Sequence, residues 1–337
     1  MSDQMNTQVK LVQRPVGEPA PECLQVEQAP VTAPADGEVL YKVLYISLDP
    51  AMRGWMNEGK SYIPPVGLGE VMRAGGVGRV IQSAHPDFKE GDYVSGHPGA
   101  QEYAVEKGGE LIAIDPDVAP LQRYLGVLGM PGITAYFGLL DVGQPKAGET
   151  VLISGAAGAV GSTVGQIAKL KGCRVVGIAG GAEKCDFLRE LGFDAVIDYK
   201  SENIFRSLKQ ACPDGVDVFF DNVGGPALEA ALARLRFRGR VVLCGAISQY
   251  NATERPTGPS NYMSLLVNRA RMEGFVVFDY KDRYAEAVRE MAGWIEQGKL
   301  QAREHVVEGL PQFHSHLMML FHGENFGKLV LKVADDA

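Results

Sequence analysis

Between residues 39 and 105 the chain shows short runs of alternating apolar and polar positions, each broken by a turn. The runs 39–46, 76–81, 92–95 and 102–105 predict strands separated by Gly- and Pro-containing loops. Residues 1 to about 125 therefore predict a β-rich domain built as a partly closed barrel. Around Gly129-Met130-Pro131-Gly132-Ile133-Thr134-Ala135-Tyr136 the apolar spacing lengthens to that of a helix, which marks the passage to a second domain. From Val151 strand-like runs (151–153, 174–178, 195–197, 216–220, 240–244) alternate with helix-period stretches (164–170, 183–191, 204–211, 227–235). Regular βα alternation predicts a doubly wound parallel sheet covered by helices, an α/β fold. The tail, 326–333, predicts one more strand that returns to the first domain. The expected domains are 1–125 with 310–337, and 126–309 between them.

The first strand of this second domain, Val151-Leu152-Ile153, runs into Ser154-Gly155-Ala156-Ala157-Gly158-Ala159-Val160-Gly161, and a helix follows. Glycines where a strand turns into a helix let the backbone approach a pyrophosphate, whose charge the free amides and the helix N-terminus favour. The spacing is GxxGxxG, a weaker signal than GxGxxG, and a bare glycine-rich turn is the competing reading. The next strand ends in Ala179-Gly180-Gly181, where an NAD enzyme places an acid for the ribose 2′-hydroxyl. Small residues there leave room for a 2′-phosphate, and Lys184, about one turn further on, can reach it as a point charge. NADP(H) is favoured over NAD(H).

A net charge of −8 without a long basic run excludes a nucleic-acid surface. The first residues form no signal peptide, and no apolar stretch of about 18 residues occurs, so a cytoplasmic protein away from membranes is expected. The five cysteines, Cys23, Cys173, Cys185, Cys212 and Cys244, form no CxxC pair, which points to reduced thiols and neither a disulfide framework nor a zinc knuckle. Among the six histidines only His314 and His316 are close, and an i, i+2 pair on a helix points two ways. The apolar run Phe275-Val276-Val277-Phe278 predicts a last, exposed edge strand that pairs with its copy in a homodimer.

Several segments together resemble a known family: Asp49-Pro50-Ala51-Met52-Arg53-Gly54, Met130 to Tyr136, 156–161, Asp221-Asn222-Val223-Gly224-Gly225, 244–251 and Glu324-Asn325-Phe326-Gly327-Lys328. They resemble the zinc-free medium-chain reductases, in the subgroup of prostaglandin, plant double-bond and bacterial curcumin reductases, and the likeness spans nearly the whole chain. The resemblance implies a GroES-like catalytic domain completed by the C-terminal strand, a Rossmann domain, NADPH as cofactor, and reduction of the carbon–carbon double bond of enals and enones. It gives the pyrophosphate to Gly158, Ala159, Val160 and Gly161, and the adenosine ribose and its phosphate to Lys184 and Tyr199. Gly180, Asn222, Cys244, Gly245, Ala246, Ile247, Ser248, Tyr250, Phe275, Val276, Val277, Asn325, Asn57 and Thr134 line the remainder of the cofactor. Zinc-dependent relatives carry a ligand Cys and a Gly-His-Glu segment where this chain reads Ile46-Ser47-Leu48-Asp49 and Leu68-Gly69-Glu70-Val71. No metal is therefore expected.

The expected substrate pocket draws on Ala51, Arg53, Met130, Tyr262 and Val267. Ala51 and Trp55 replace the family's usual Tyr and Arg, and Val267 stands where prostaglandin reductases carry a Tyr, with Tyr262 as a partial substitute. The implied mechanism is hydride transfer to the β-carbon followed by protonation of the α-carbon. Such a reaction needs an oxyanion donor: Tyr250 first, with the cofactor's ribose 2′-hydroxyl as the alternative and Tyr62 as a second candidate. Each Tyr can instead be a pocket wall that only packs substrate. A quinone reductase of the same fold and an NADPH-binding protein without turnover are the competing readings.

Overall fold

The computed structural model describes residues 4–336. Two compact units share the chain: one runs through Gly126 and resumes at Glu304, the other is Val127–Arg303. The first unit opens with β1 (Met5–Leu11) and β2 (Leu24–Pro30), an antiparallel pair. Then follow β3 (Glu38–Ser47), the short helix α1 (Ala51–Trp55), β4 (Gly76–Ser83), β5 (Tyr93–Gly96), β6 (Tyr103–Lys107) and β7 (Ile112–Ile114). β3 is the axis of this unit, pairing antiparallel with both β4 and β6. Its buried residues Val39, Tyr41, Val43 and Ile46 pack with Met52 and Met56 into one core.

The second unit begins with α2 (Met130–Phe137), continued by a wider helical turn, Gly138–Gly143. Its strands and helices then alternate: β8 (Thr150–Ser154), α3 (Ala159–Leu170), β9 (Arg174–Ala179), α4 (Ala182–Glu190), β10 (Ala195–Asp198), α5 (Ile204–Ala211), β11 (Val216–Asp221), α6 (Gly225–Leu232), β12 (Leu235–Leu243), α7 (Ser264–Asn268), β13 (Arg271–Gly274) and α8 (Tyr284–Glu296). The six strands are ordered β10-β9-β8-β11-β12-β13 and all pairs are parallel. β8 and β11 are buried along their whole length, as strands covered on both faces must be, which is why their centres, 151–153 and 218–220, read as apolar runs. The strand order reverses between them, and ligands of such sheets bind beyond the carboxyl ends at that reversal.

The chain returns to the first unit with β14 (Glu304–Glu308), α9 (Phe313–His322) and β15 (Lys328–Lys332). β15 pairs with β3, and β14 lies parallel beside β15, Glu304 opposite Lys328. That pairing puts the return at Glu304, earlier than the expected 310.

Two elements differ from the sequence reading. Residues 275–278 are not a strand: the edge strand is β13, and Val277–Arg283 winds as a narrow helix. The apolar character of Phe275 serves side-chain packing instead, its ring lying edge-on to Phe220 and against Gly138. The strand expected at 240–244 already starts at Leu235, across an irregularity in its register with β11 and a left-handed Arg238 (φ 59°).

Candidate functional site

The carboxyl end of β8 turns through Gly155, whose φ of +57° is a conformation that favours glycine. At Gly161 a Cβ would collide with the Gly155 carbonyl and stand 2.8 Å from the Ala156 Cα, so only glycine lets α3 start this close to the strand. No side chain caps the first turn of α3. Its amides, including those of Ala159, Val160 and Gly161, are the donors a helix N-terminus offers to an anion. A pyrophosphate fits this cradle.

Beside it, the end of β11 is held by a buried acid. Asp221 is 0% exposed, and its Oδ1 accepts from Ser154 Oγ (2.7 Å), Val223 N (3.0 Å) and Gly224 N (3.0 Å). Burial raises its carboxyl above the usual range against those hydrogen bonds. Ser154 Oγ in turn accepts from Asn222 N (2.9 Å), and the Asn222 amide donates to the Ser154 carbonyl (2.7 Å).

The loop after β12 is stitched to the same place. The Asp221 carbonyl accepts from Cys244 N (2.9 Å) and Gly245 N (3.1 Å), and the Asn222 carbonyl from Ile247 N (3.2 Å). Ser248 Oγ donates to the Val223 carbonyl at 2.6 Å. Tyr250 folds back over the loop, its hydroxyl accepting from Ala246 N at 3.1 Å. Burial and the Asp221 carboxyl push the Cys244 thiol up to about 12, so it stays protonated and unreactive near neutrality.

At the next strand ends, Asp198 Oδ1 accepts from Gly181 N (2.8 Å) and Lys200 N (3.0 Å) and joins the turns after β9 and β10. These bonds, Gly181 first, hold the Asp198 carboxyl below its ordinary range. The exposed Tyr199 ring lies over Gly180. Lys184, half-buried on α4, has its pKa lowered by burial and by the nearby Lys200. Two ammonium groups close enough to feel one another supply the charge that a dianionic phosphate calls for.

The other expected residues are more dispersed. Within the second unit, Met130 and Thr134 are half-buried on α2, with the Tyr284 hydroxyl 3.9 Å from Met130 Sδ and 3.1 Å from the Val277 carbonyl. Phe275 and Val276 are half-buried and Val277 is buried, whereas Tyr262 and Val267 (68% exposed) lie on the surface beside and on α7. Within the first unit, Ala51 begins α1. Arg53 is only 3% exposed: its guanidinium donates to the Gly17 carbonyl (2.7 and 3.0 Å) and to Asn57 Oδ1 (2.6 Å), so it braces the 15–17 loop. Tyr62 is 56% exposed, and the half-buried Asn325 donates to the Gly327 carbonyl.

Among the described residues no group of three His, Cys, Asp or Glu side chains is placed to hold a metal ion. His314 and His316 turn to different carbonyls, Pro19 (2.8 Å) and Glu308 (3.0 Å). All five cysteines are free.

Residues 7–114 match the family description "N-terminal domain of oxidoreductase" and residues 159–293 match "Zinc-binding dehydrogenase". The chain is 46% identical to the NADPH-dependent curcumin reductase of Escherichia coli K12 over 99% of its own length and 98% of that protein's. It belongs to the medium-chain dehydrogenase/reductase family. Within that family it is also 44% identical to the NADP(+)-dependent 2-alkenal reductase of Nicotiana tabacum, covering 88% of each chain. The crystal structure of CurA from Vibrio vulnificus in complex with NADPH superposes with a TM-score of 0.93 at 46% identity, covering 98% of this chain and 99% of that one.

In this member of the medium-chain reductases the bracing roles of Ser154, Asp198 and Asp221 carry no sequence motif of their own. The available signal was an acid closing the apolar run Val218-Phe219-Phe220 at Asp221.

Proposed function

We propose that the protein reduces the carbon–carbon double bond of α,β-unsaturated aldehydes and ketones with NADPH, as a cytoplasmic homodimer. The observation that carries the reaction is the likeness to an NADPH-dependent curcumin reductase over 99% of the chain. The intact glycine cradle at 155–161 and the converging Lys184, Lys200 and Tyr199 support the cofactor.

NADPH, when bound, supplies the hydride that adds to the β-carbon. Gly158 to Gly161 would take its pyrophosphate, and Lys184 and Tyr199 its 2′-phosphate and ribose. Asn222, 244–250, Phe275 to Val277, Asn57, Thr134 and Asn325 would line the remainder. Negative charge then develops on the substrate's carbonyl oxygen, and a positioned hydroxyl stabilises it. Tyr250 is assigned that donor role, since a hydroxyl that already accepts from Ala246 N is polarised toward donating. Tyr62 is the second polar group. The described residues offer zinc no donor set, so no step is derived through a metal.

Ala51, where relatives carry a phenol, leaves a wider and more apolar substrate site, and bulky aryl enones should be preferred to small enals. Tyr262 and Val267 would contribute to its outer wall. NADPH consumption across enals, aryl enones, ring enones and quinones tests the reading. Turnover of aryl enones above the rest supports it; activity confined to quinones, or tight NADPH binding without turnover of any enone, overturns it.

The homodimer rests on β13, whose residues are all exposed and which pairs only with β12. Leu266, Val267, Phe237 and Met272 are exposed apolar side chains on α7, β12 and β13 themselves. An unprotected edge of this kind is satisfied by the same edge of a second copy. The free, mostly buried cysteines fit a reducing compartment.

A further inference from the structure

Asp221 has no place in the chemistry described above, yet three cofactor segments meet on it. Its side chain holds Ser154, which precedes the glycine turn, and the amides of Val223 and Gly224 in the next loop. Its main-chain carbonyl holds Cys244 N and Gly245 N at the start of the loop 244–250. It sits at the end of β11, beside the reversal of strand order, and is 0% exposed. A loop amide left without an acceptor in such a place is costly, and a short loop recovers that cost by moving.

We infer that Asp221 is a positioning residue for NADPH: its buried carboxyl fixes the pyrophosphate turn against the 222–225 loop, and touches neither cofactor nor substrate itself. The inference rests on the proposed NADPH site. Oδ1 acts purely as an acceptor, for one hydroxyl and two amides. Asp221→Asn keeps an oxygen for these donors, and its Nδ2 replaces an Oδ2 that is buried without a hydrogen-bond partner.

The test compares Asp221→Asn, Asp221→Ala and Ser154→Ala with the wild type. NADPH dissociation constants come from fluorescence titration, the KM for one aryl enone from steady-state kinetics, and folding from thermal melts. Asp221→Ala should raise the NADPH dissociation constant at least about tenfold, with the enone KM changing less than about threefold; Asp221→Asn should stay within about threefold of wild type for both. Ser154→Ala, which removes one of the donors, should raise the NADPH value by about threefold to tenfold while remaining folded. A general loss of stability would lower the melting temperature without this split between cofactor and substrate. A folded Asp221→Ala that binds NADPH within about twofold of wild type overturns the inference, and so does an Asp221→Asn as weak as Asp221→Ala. Should Asp221→Ala not fold, Ser154→Ala with an unchanged NADPH constant overturns it. The wild-type titration reports separately on whether the site holds NADPH at all.

Discussion

The Tyr199 ring closes over Gly180, where a Cβ would stand 2.7 Å from ring Cε1 and 2.9 Å from the hydroxyl. Asp198 binds the adjoining amides of Gly181 and Lys200 and so joins the turn after β9 to the turn that carries Tyr199 and Lys200. A single charge-assisted contact to phosphate is worth about 1.5–3 kcal/mol. Lys184→Ala should therefore raise the KM for NADPH at least about tenfold and leave that for NADH nearly unchanged. The pH dependence has a definite sign. Burial and Lys200 lower the Lys184 pKa from 10.5, so it loses its proton earlier than an ordinary lysine as pH rises. Affinity for NADPH should therefore begin to fall at a lower pH than titration of an ordinary lysine would give, and by more than affinity for NADH. Equal losses for both cofactors would contradict the phosphate assignment.

Tyr250→Phe removes both the donor assigned to the developing oxyanion and the acceptor for Ala246 N. Loss of one oxyanion donor lowers kcat by about tenfold to a hundredfold, and a contact made mainly in the transition state leaves the enone KM less affected. Steady-state kinetics on an aryl enone decide it. An unchanged kcat would reduce Tyr250 to a brace for its own loop.

Much of the second unit was legible because its strands are buried on both faces: Val151-Leu152-Ile153 and Val218-Phe219-Phe220 are apolar throughout, and the helices between them have their own period. The run 275–278 misled for the same reason. Four apolar residues in a row fit a strand or a side-chain cluster equally, and only the pairing of β12 with Arg271–Gly274 separates the two. The antiparallel partnership of β1 with β2 leaves no local trace, since their alternation does not say which strand each meets. At the candidate site the glycines were legible from spacing. Asp221 was not, because its partners Ser154, Val223 and Cys244 come together only when β8, β11 and β12 lie side by side.

Metal independence is a separate expectation. Conjugate reduction places charge on a delocalised enolate, which a hydroxyl donor can stabilise, whereas an alkoxide calls for a Lewis acid. Purified enzyme should carry no stoichiometric zinc and should keep its activity after dialysis against a chelator. A bound metal whose removal abolishes enone reduction, and whose return restores it, would overturn this.

The edge strand β13 supplies the prediction on assembly. Light scattering should give about twice the chain mass of 36.3 kDa at micromolar concentration. Met272→Lys, on the exposed strand opposite Val241, introduces the kind of charge that keeps edges apart and should shift the mass toward that of one chain. A wild-type protein that scatters as a monomer would remove the proposal.

The carbon that receives the hydride defines the reaction. It is found by incubating the enzyme with an aryl enone and NADPH deuterated at the transferred position, then locating the label by NMR. The expected product is the saturated ketone, its carbonyl intact, with deuterium on the β-carbon. Deuterium on the carbonyl carbon of an allylic alcohol, the product of direct carbonyl reduction, would contradict it.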